Sequence, residues 1–143
     1  MNPFPMPVRA SDDSRDFFEA TRSSRLLLRR CSECAVLRGP HEQACPECHS
    51  VDHETQYGSV QASLVTWSIV YRSPLPGVAT PYVTGFVECE EGPWLAVRLL
   101  PDASSTLRTG ARVLVTFLPT GADQDQGEAL PVGLVLADNP GIA

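Results

Sequence analysis

After Gly58, apolar and polar positions alternate with a period of two, and this rhythm sets the expected architecture. Val60, Ala62 and Leu64 share one phase, whereas Val65, Trp67, Ile69 and Tyr71 share the opposite one. A single strand carrying both phases must bulge or change faces near residues 64 and 65, as long strands do when they serve two sides of a small closed barrel. Tyr82 to Cys89 and Trp94 to Leu100 read as two more strands, joined by a hairpin turn at Glu90-Glu91-Gly92-Pro93. Val113, Val115 and Phe117 alternate ahead of Pro119, which is expected to end that strand. Gly121 to Glu128 then reads as an acidic, mobile loop and Leu130 to Leu136 as a last strand.

Before Gly58 the alternation is missing. Residues 1–10 are proline-rich and read as an irregular tail, or an arm against a partner. Ser11, Asp12 and Asp13 offer capping oxygens and early negative charge to a short helix over about 13–22. Adjacent Phe17 and Phe18 project roughly 100° apart on such a helix, so one narrow stripe does not easily bury both, and at least one is a candidate for contact with a partner or ligand, although packing against the barrel is the commoner fate of such residues. Arg25 to Arg30 reads as a strand leading into Cys31. The expected protein is therefore mainly β: an N-terminal arm and helix over 1–28, a metal-binding ribbon over 29–55, and a small antiparallel barrel of the OB type with a C-terminal strand and tail over 56–143. A chain of 143 residues suffices to bury such a core.

Four of the five cysteines form two matched pairs, Cys31-Ser32-Glu33-Cys34 and Cys45-Pro46-Glu47-Cys48. Each pair can wrap a tight turn around one ion, so Cys31, Cys34, Cys45 and Cys48 are the predicted ligands and one structural zinc the predicted occupant. Four soft sulfurs leave no open position for water, which places any chemistry elsewhere. Tetrahedral iron uses the same rubredoxin-like turns and would make the chain an electron carrier. Disulfides fit less well, because the opening Met1-Asn2-Pro3-Phe4-Pro5 has neither a basic nor an apolar leader pattern and a reducing, cytoplasmic setting is expected. A thioredoxin-type redox pair needs one CxxC and a βαβ setting, and this pattern has neither feature. His41, His49 and His53 are not needed as ligands. Ala35 and His49 follow the second cysteine of each pair, where such turns favour positive φ. Cys89, in phase with Val83 and Val87, reads as a small buried hydrophobe.

Charge narrows the functional classes. The net charge is −6 and there is no lysine; residues 1–50 hold seven arginines against seven acids, and residues 51–143 four against ten. The arginines at 22, 25, 29, 30 and 38 can balance the two negative charges of a zinc tetrathiolate, or form a phosphate-binding site. Tyr57, Tyr71, Tyr82 and Trp67 resemble a base-stacking set, which makes a single-stranded nucleic-acid module an alternative, although the acidic second half would repel a polyanion. Glu88, Glu90 and Glu91 read as a soluble strand edge. No run approaches the ~18 apolar residues of a membrane span, and no GxSxG, HExxH or glycine-rich phosphate loop is present.

An ordered set of short motifs adds to this reading: Phe17-Phe18-Glu19, Leu28-Arg29-Arg30-Cys31-Ser32-Glu33-Cys34, Cys45-Pro46-Glu47-Cys48, Gly58-Ser59-Val60, Pro81-Tyr82-Val83, Glu91-Gly92-Pro93 and Gly110-Ala111-Arg112-Val113. Over about residues 16–119 the chain resembles the rubredoxin-like zinc-ribbon/OB-fold family, a domain-of-unknown-function family of acyl-CoA-associated proteins encoded beside thiolase-like enzymes. The resemblance implies a non-catalytic accessory subunit of a thiolase-like or hot-dog-fold acyl-CoA enzyme, with activity only in complex with that partner. It further implies a docking surface on the helix with Phe17 and Phe18 and on the barrel edge from Arg72 to Tyr82, and contact of Arg25, Arg29 and Arg30 with acyl-CoA phosphates. Family members commonly carry Phe-Trp where this chain has Phe17-Phe18.

Overall fold

A computed structural model describes residues 2–101 and 105–137. One helix, α1 (Arg15–Arg22), precedes eight strands: β1 (Leu26–Cys31), β2 (Leu37–Arg38), β3 (His53–Gly58), β4 (Gln61–Val70), β5 (Tyr82–Cys89), β6 (Trp94–Pro101), β7 (Arg112–Ala122) and β8 (Asp125–Val135). The helix starts two residues later than expected, because Ser11 to Ser14 close a turn of their own in which the Ser14 N–H donates to the Ser11 carbonyl (3.1 Å). Asp16 in its first turn and Arg22 in its last complement the dipole, and Arg22 also pairs with Glu128 on β8. Phe18, Ala20 and Thr21 are buried.

β1 is the middle strand of a three-stranded sheet ordered β2-β1-β3, all antiparallel. Leu26, Leu27 and Leu28 are almost wholly buried, and Leu26 and Leu28 belong to the same apolar cluster as Leu64, Val87, Leu95, Leu99, Val113 and Val135 of the barrel. The ribbon sheet therefore shares its core with the barrel. Tight packing continues where β3 ends: a methyl added at Gly58 would lie 2.8 Å from Leu28 Cδ1.

The barrel closes in the order β4-β5-β6-β8-β7, with β4 returning to β7 through Gln61 opposite Leu114 and Ala62 opposite Val113. Its β6–β8 seam is parallel and the other four are antiparallel. The expected change of phase in the first long strand is a bulge: Leu64 pairs with Val87 and Thr66 with Phe86, leaving Val65 as the extra residue. Gly85 permits this, since a Cβ there would sit 2.3 Å from the Thr66 carbonyl oxygen.

Two expectations need correction. Pro119 does not end its strand, and Gly121 to Glu128 is not a loop: β7 runs on to Ala122 and β8 starts at Asp125. A register shift between Pro119 and Gly121 absorbs the missing proline N–H. The polar composition of this hairpin is explained by the N-terminal arm, which lies along it. The Gly121 N–H donates to the Phe4 carbonyl (2.8 Å), the Glu128 N–H to the Val8 carbonyl (2.7 Å), and Val8 N–H to Thr120 Oγ1 (2.8 Å), while Arg9 pairs with Asp125. Residues 2–9 are irregular, as expected, but they pack on their own barrel.

Truncating the shared core tests this union: Leu28→Ala should cost about 2–5 kcal/mol in urea unfolding, with loss of barrel and ribbon signals in a single transition. Cys89 offers a pH test. Burial, then Glu91 and Glu88, push its thiol from the ordinary 9.0 to about 11. The folded state thus favours the protonated thiol, so its contribution is complete below pH 9 and is lost as pH rises through about 11. Cys89→Ala should flatten the stability profile over that interval, measured by urea titration at successive pH values.

Candidate metal centre and the cleft beside it

Both cysteine turns fold by the same backbone bonds. In the first, the Ala35 N–H donates to the Cys31 carbonyl (3.0 Å) and the Cys31 N–H to the Val36 carbonyl (2.9 Å). In the second, the His49 N–H donates to the Cys45 carbonyl (2.9 Å) and the Cys45 N–H to the Ser50 carbonyl (2.8 Å). Each turn closes through a left-handed residue, Ala35 and His49, both at φ 66°. The four sulfurs lie within 4.8 Å of one another, with Cys31 and Cys48 at 3.5 Å and Cys34 and Cys45 at 3.5 Å. Four thiolates ~2.3 Å from a common tetrahedral centre would be ~3.8 Å apart, so these residues fit one metal ion.

Thiol electrostatics follow the turn geometry. The Cys34 N–H, assisted by the Glu33 N–H and opposed by burial, draws Cys31 down to about 6. Cys45 is lowered in the same way by the Cys48 and Glu47 amides. At Cys34 the Val36 N–H acts downward, but the Cys45 sulfur, burial and the neighbouring thiols outweigh it and push the group up to about 12. Cys48 is also raised, the Ser50 N–H being outweighed by Cys31 and burial. Each turn thus favours the thiolate form of its first sulfur and disfavours that of its second, which a bound cation would offset.

Behind the centre stand two buried arginines. Arg38, 1 % exposed, donates to the carbonyls of Ser50 (3.2 Å), Gln43 (3.3 Å) and Val51 (3.4 Å), holding the second turn. Arg29 reaches the Pro40 carbonyl and the Asp16 carboxylate, both at 3.3 Å. His53 lies between them, with Nε2 against Arg29 and Nδ1 3.2 Å from Arg38. Both guanidinium groups can only donate, so each ring nitrogen of His53 faces a donor, and Nδ1 also lies 3.3 Å from the Val51 carbonyl.

The residues expected to contact acyl-CoA or a partner are spread over the molecule. Phe18 is buried, and Phe17 is half-buried against the core cluster with its ring edge-on to Phe18 at 5.2 Å. Arg25 stacks on exposed Tyr57, 4.8 Å from the ring centre. Arg29 is buried, and Arg30 donates to Gln56 Oε1 (2.8 Å) and the Ala35 carbonyl (2.8 Å). Arg72 is exposed in the β4–β5 connection. Tyr82 is covered by the Arg98 guanidinium, 3.7 Å from its ring centre.

Sequence reasoning overlooked a different surface. A cleft of about 760 Å³ runs between the ribbon and the β5–β6 hairpin, walled by Val36, Leu37, Pro46, Phe86, Pro93 and Trp94. Phe86 and Trp94 are 42 % and 50 % exposed, with ring centres 6.2 Å apart. The alternation of β5 and β6 does place both on the outer face, but no sequence signal brings the ribbon opposite them.

The fold and the cysteine turns together define a ribbon-plus-OB-barrel protein. Residues 56–118 match the family model described as ChsH2, C-terminal OB-fold domain. The chain is 31 % identical over 120 residues to a "Probable enoyl-CoA hydratase alpha subunit" of Thermomonospora curvata, covering 84 % of this chain and 36 % of that protein. It therefore spans only about a third of that relative's length. A "DUF35 domain-containing scaffold protein" of Methanocaldococcus jannaschii is 25 % identical over 103 residues, 68 % of this chain and 71 % of that one. Among solved structures, a chain of the "Ltp2-ChsH2(DUF35) aldolase" superposes with a TM-score of 0.72 at 28 % identity, covering 88 % of this chain and 96 % of that chain. A DUF35 protein of Sulfolobus solfataricus shares the fold, at TM-score 0.60 and 14 % identity over 89 % of this chain and 87 % of its own. The chain is thus similar to ChsH2 in its OB-fold domain and to DUF35 proteins in sequence and fold. Among the described residues, no helix is long and apolar enough to cross a membrane.

Four cysteines that could hold one ion make a direct prediction. Cys45→Ser should abolish stoichiometric metal in mass spectrometry under native conditions and lower the melting temperature; chelation of the unmodified chain should give the same shift, reversed on adding the ion back.

Proposed function

We propose that this chain is a non-catalytic accessory subunit that docks a thiolase-like enzyme acting on acyl-CoA, with one structural zinc holding its ribbon. The observation that carries the reading is the likeness to a chain of the Ltp2-ChsH2(DUF35) aldolase, which extends over 88 % of this chain and 96 % of that chain. The names of the hydratase subunit and of the scaffold protein support the same role. A closed shell of four sulfurs supports a structural ion, since every coordination position of a tetrahedral zinc is taken by protein.

In this reading the metal supplies folding energy and rigidity. Arg38 holds the second turn within the ribbon, the β1 leucines hold the ribbon on the barrel, and the partner supplies the reacting groups. In this reading the acyl-CoA phosphates are met by Arg25 and Arg72, which are exposed residues, whereas buried Arg29 serves the fold.

Co-expression with a thiolase-like acyl-CoA enzyme of the same organism should yield a hetero-oligomer in size-exclusion chromatography with light scattering, active where neither component is alone. Separate elution, with the enzyme fully active by itself, would overturn the proposal. The purified chain should be colourless and contain one zinc per polypeptide; iron would mark it as an electron carrier instead.

A further inference from the structure

The cleft between ribbon and barrel has a chemistry of its own. Phe86 and Trp94 present adjacent, half-exposed rings, and Pro46 and Pro93 extend the apolar wall. Around it stand Glu42, Glu47 and Glu91; none of the ion pairs among the described residues engages them, while Glu42 and Glu91 each accept a backbone N–H, from Gly39 (3.0 Å) and Ser59 (2.6 Å). The arginine in the lining, Arg30, has its guanidinium committed to Gln56 and the Ala35 carbonyl. Ala35, Pro46 and Glu47 belong to or adjoin the cysteine turns, so a divalent ion held by four thiolates would add a net charge of about −2 beside the same cleft. An anion entering here would meet carboxylates and the thiolate cluster together.

We infer that this cleft docks a cationic, apolar polypeptide segment of the partner subunit, with an arginine or lysine side chain lying over Trp94 and Phe86. The inference rests on the accessory-subunit reading and names the surface through which it works. Electron-rich ring faces attract a guanidinium or ammonium group, most strongly when it is partly desolvated, and indole is the best such face. Carboxylates at the rim then pair with the same charge. This chemistry separates the cleft from any acyl-CoA contact, because phosphates would be repelled from it. It also excludes a nucleic-acid backbone at this face for the same reason.

The metal-loaded full chain, immobilised, should be panned against a random twelve-residue peptide display library, and the enriched peptides synthesised for calorimetry. Enrichment of peptides carrying arginine or lysine beside apolar residues is expected. Their affinity should fall at least tenfold in Trp94→Ala, about threefold in Glu47→Lys, and not at all in Tyr71→Ala, whose exposed ring lies outside the cleft. Metal content and melting temperature of each variant show that the fold is retained. Acidic or uncharged peptides, no enrichment, or equal affinity for Trp94→Ala would each overturn the inference. Because panning needs no partner enzyme, its failure leaves hetero-oligomer formation standing; failure of the oligomer with cleft-dependent cationic peptides would instead sink the thiolase-like partner alone.

Discussion

A single six-residue strand couples the two halves of this protein. β1 begins with leucines packed in the barrel core and ends at Cys31, one of the four clustered sulfurs. Its register against β3 places Cys31 opposite His53 and Leu26 opposite Gly58. A slip of one residue would turn the leucines out of the core and move the sulfur away from its three companions. Clustering of the four sulfurs and hydrophobic burial therefore select the same register. Neither module can be rearranged without cost to the other.

Charge balance around the ribbon follows from this union. A cluster of four thiolates is strongly anionic before a metal arrives and keeps a net negative charge afterwards. Arg29 and Arg38 are buried close to the paired turns, fixed by backbone carbonyls, by Asp16 and by His53. Buried guanidinium groups are costly unless their donors find acceptors, and the carbonyls of residues 40, 43, 50 and 51 supply them. The arginine-rich stretch is thus spent mainly on holding the fold. Acidic side chains are left on the outside, around the cleft that the same ribbon creates.

Much of this was legible from residue order. Two CxxC turns with left-handed residues after them, an apolar phase change at residues 64 and 65, and a proline-glycine hairpin before Trp94 are local signals, each tied to a backbone requirement that a few neighbouring residues satisfy. The helix was recognisable from its first-turn acid. The β7–β8 hairpin was misread because its polar residues answer to an N-terminal arm more than a hundred positions away, as the Val8–Thr120 and Glu128–Val8 bonds show. Phe17 and Phe18 looked like surface candidates because helical geometry separates them, yet the barrel covers one and flanks the other.

Sequence alone thus carried the clustering of four cysteines, the ribbon-plus-barrel class and most of the strands, since turn geometry and backbone preference act over a few residues. Tertiary structure decided which aromatic residues stay uncovered and which arginines are used up. Phe86 and Trp94 remain open while Phe18 does not, and Arg38 disappears while Arg72 stays in water. Exposure depends on what distant chain segments pack against a face, and no local pattern records that.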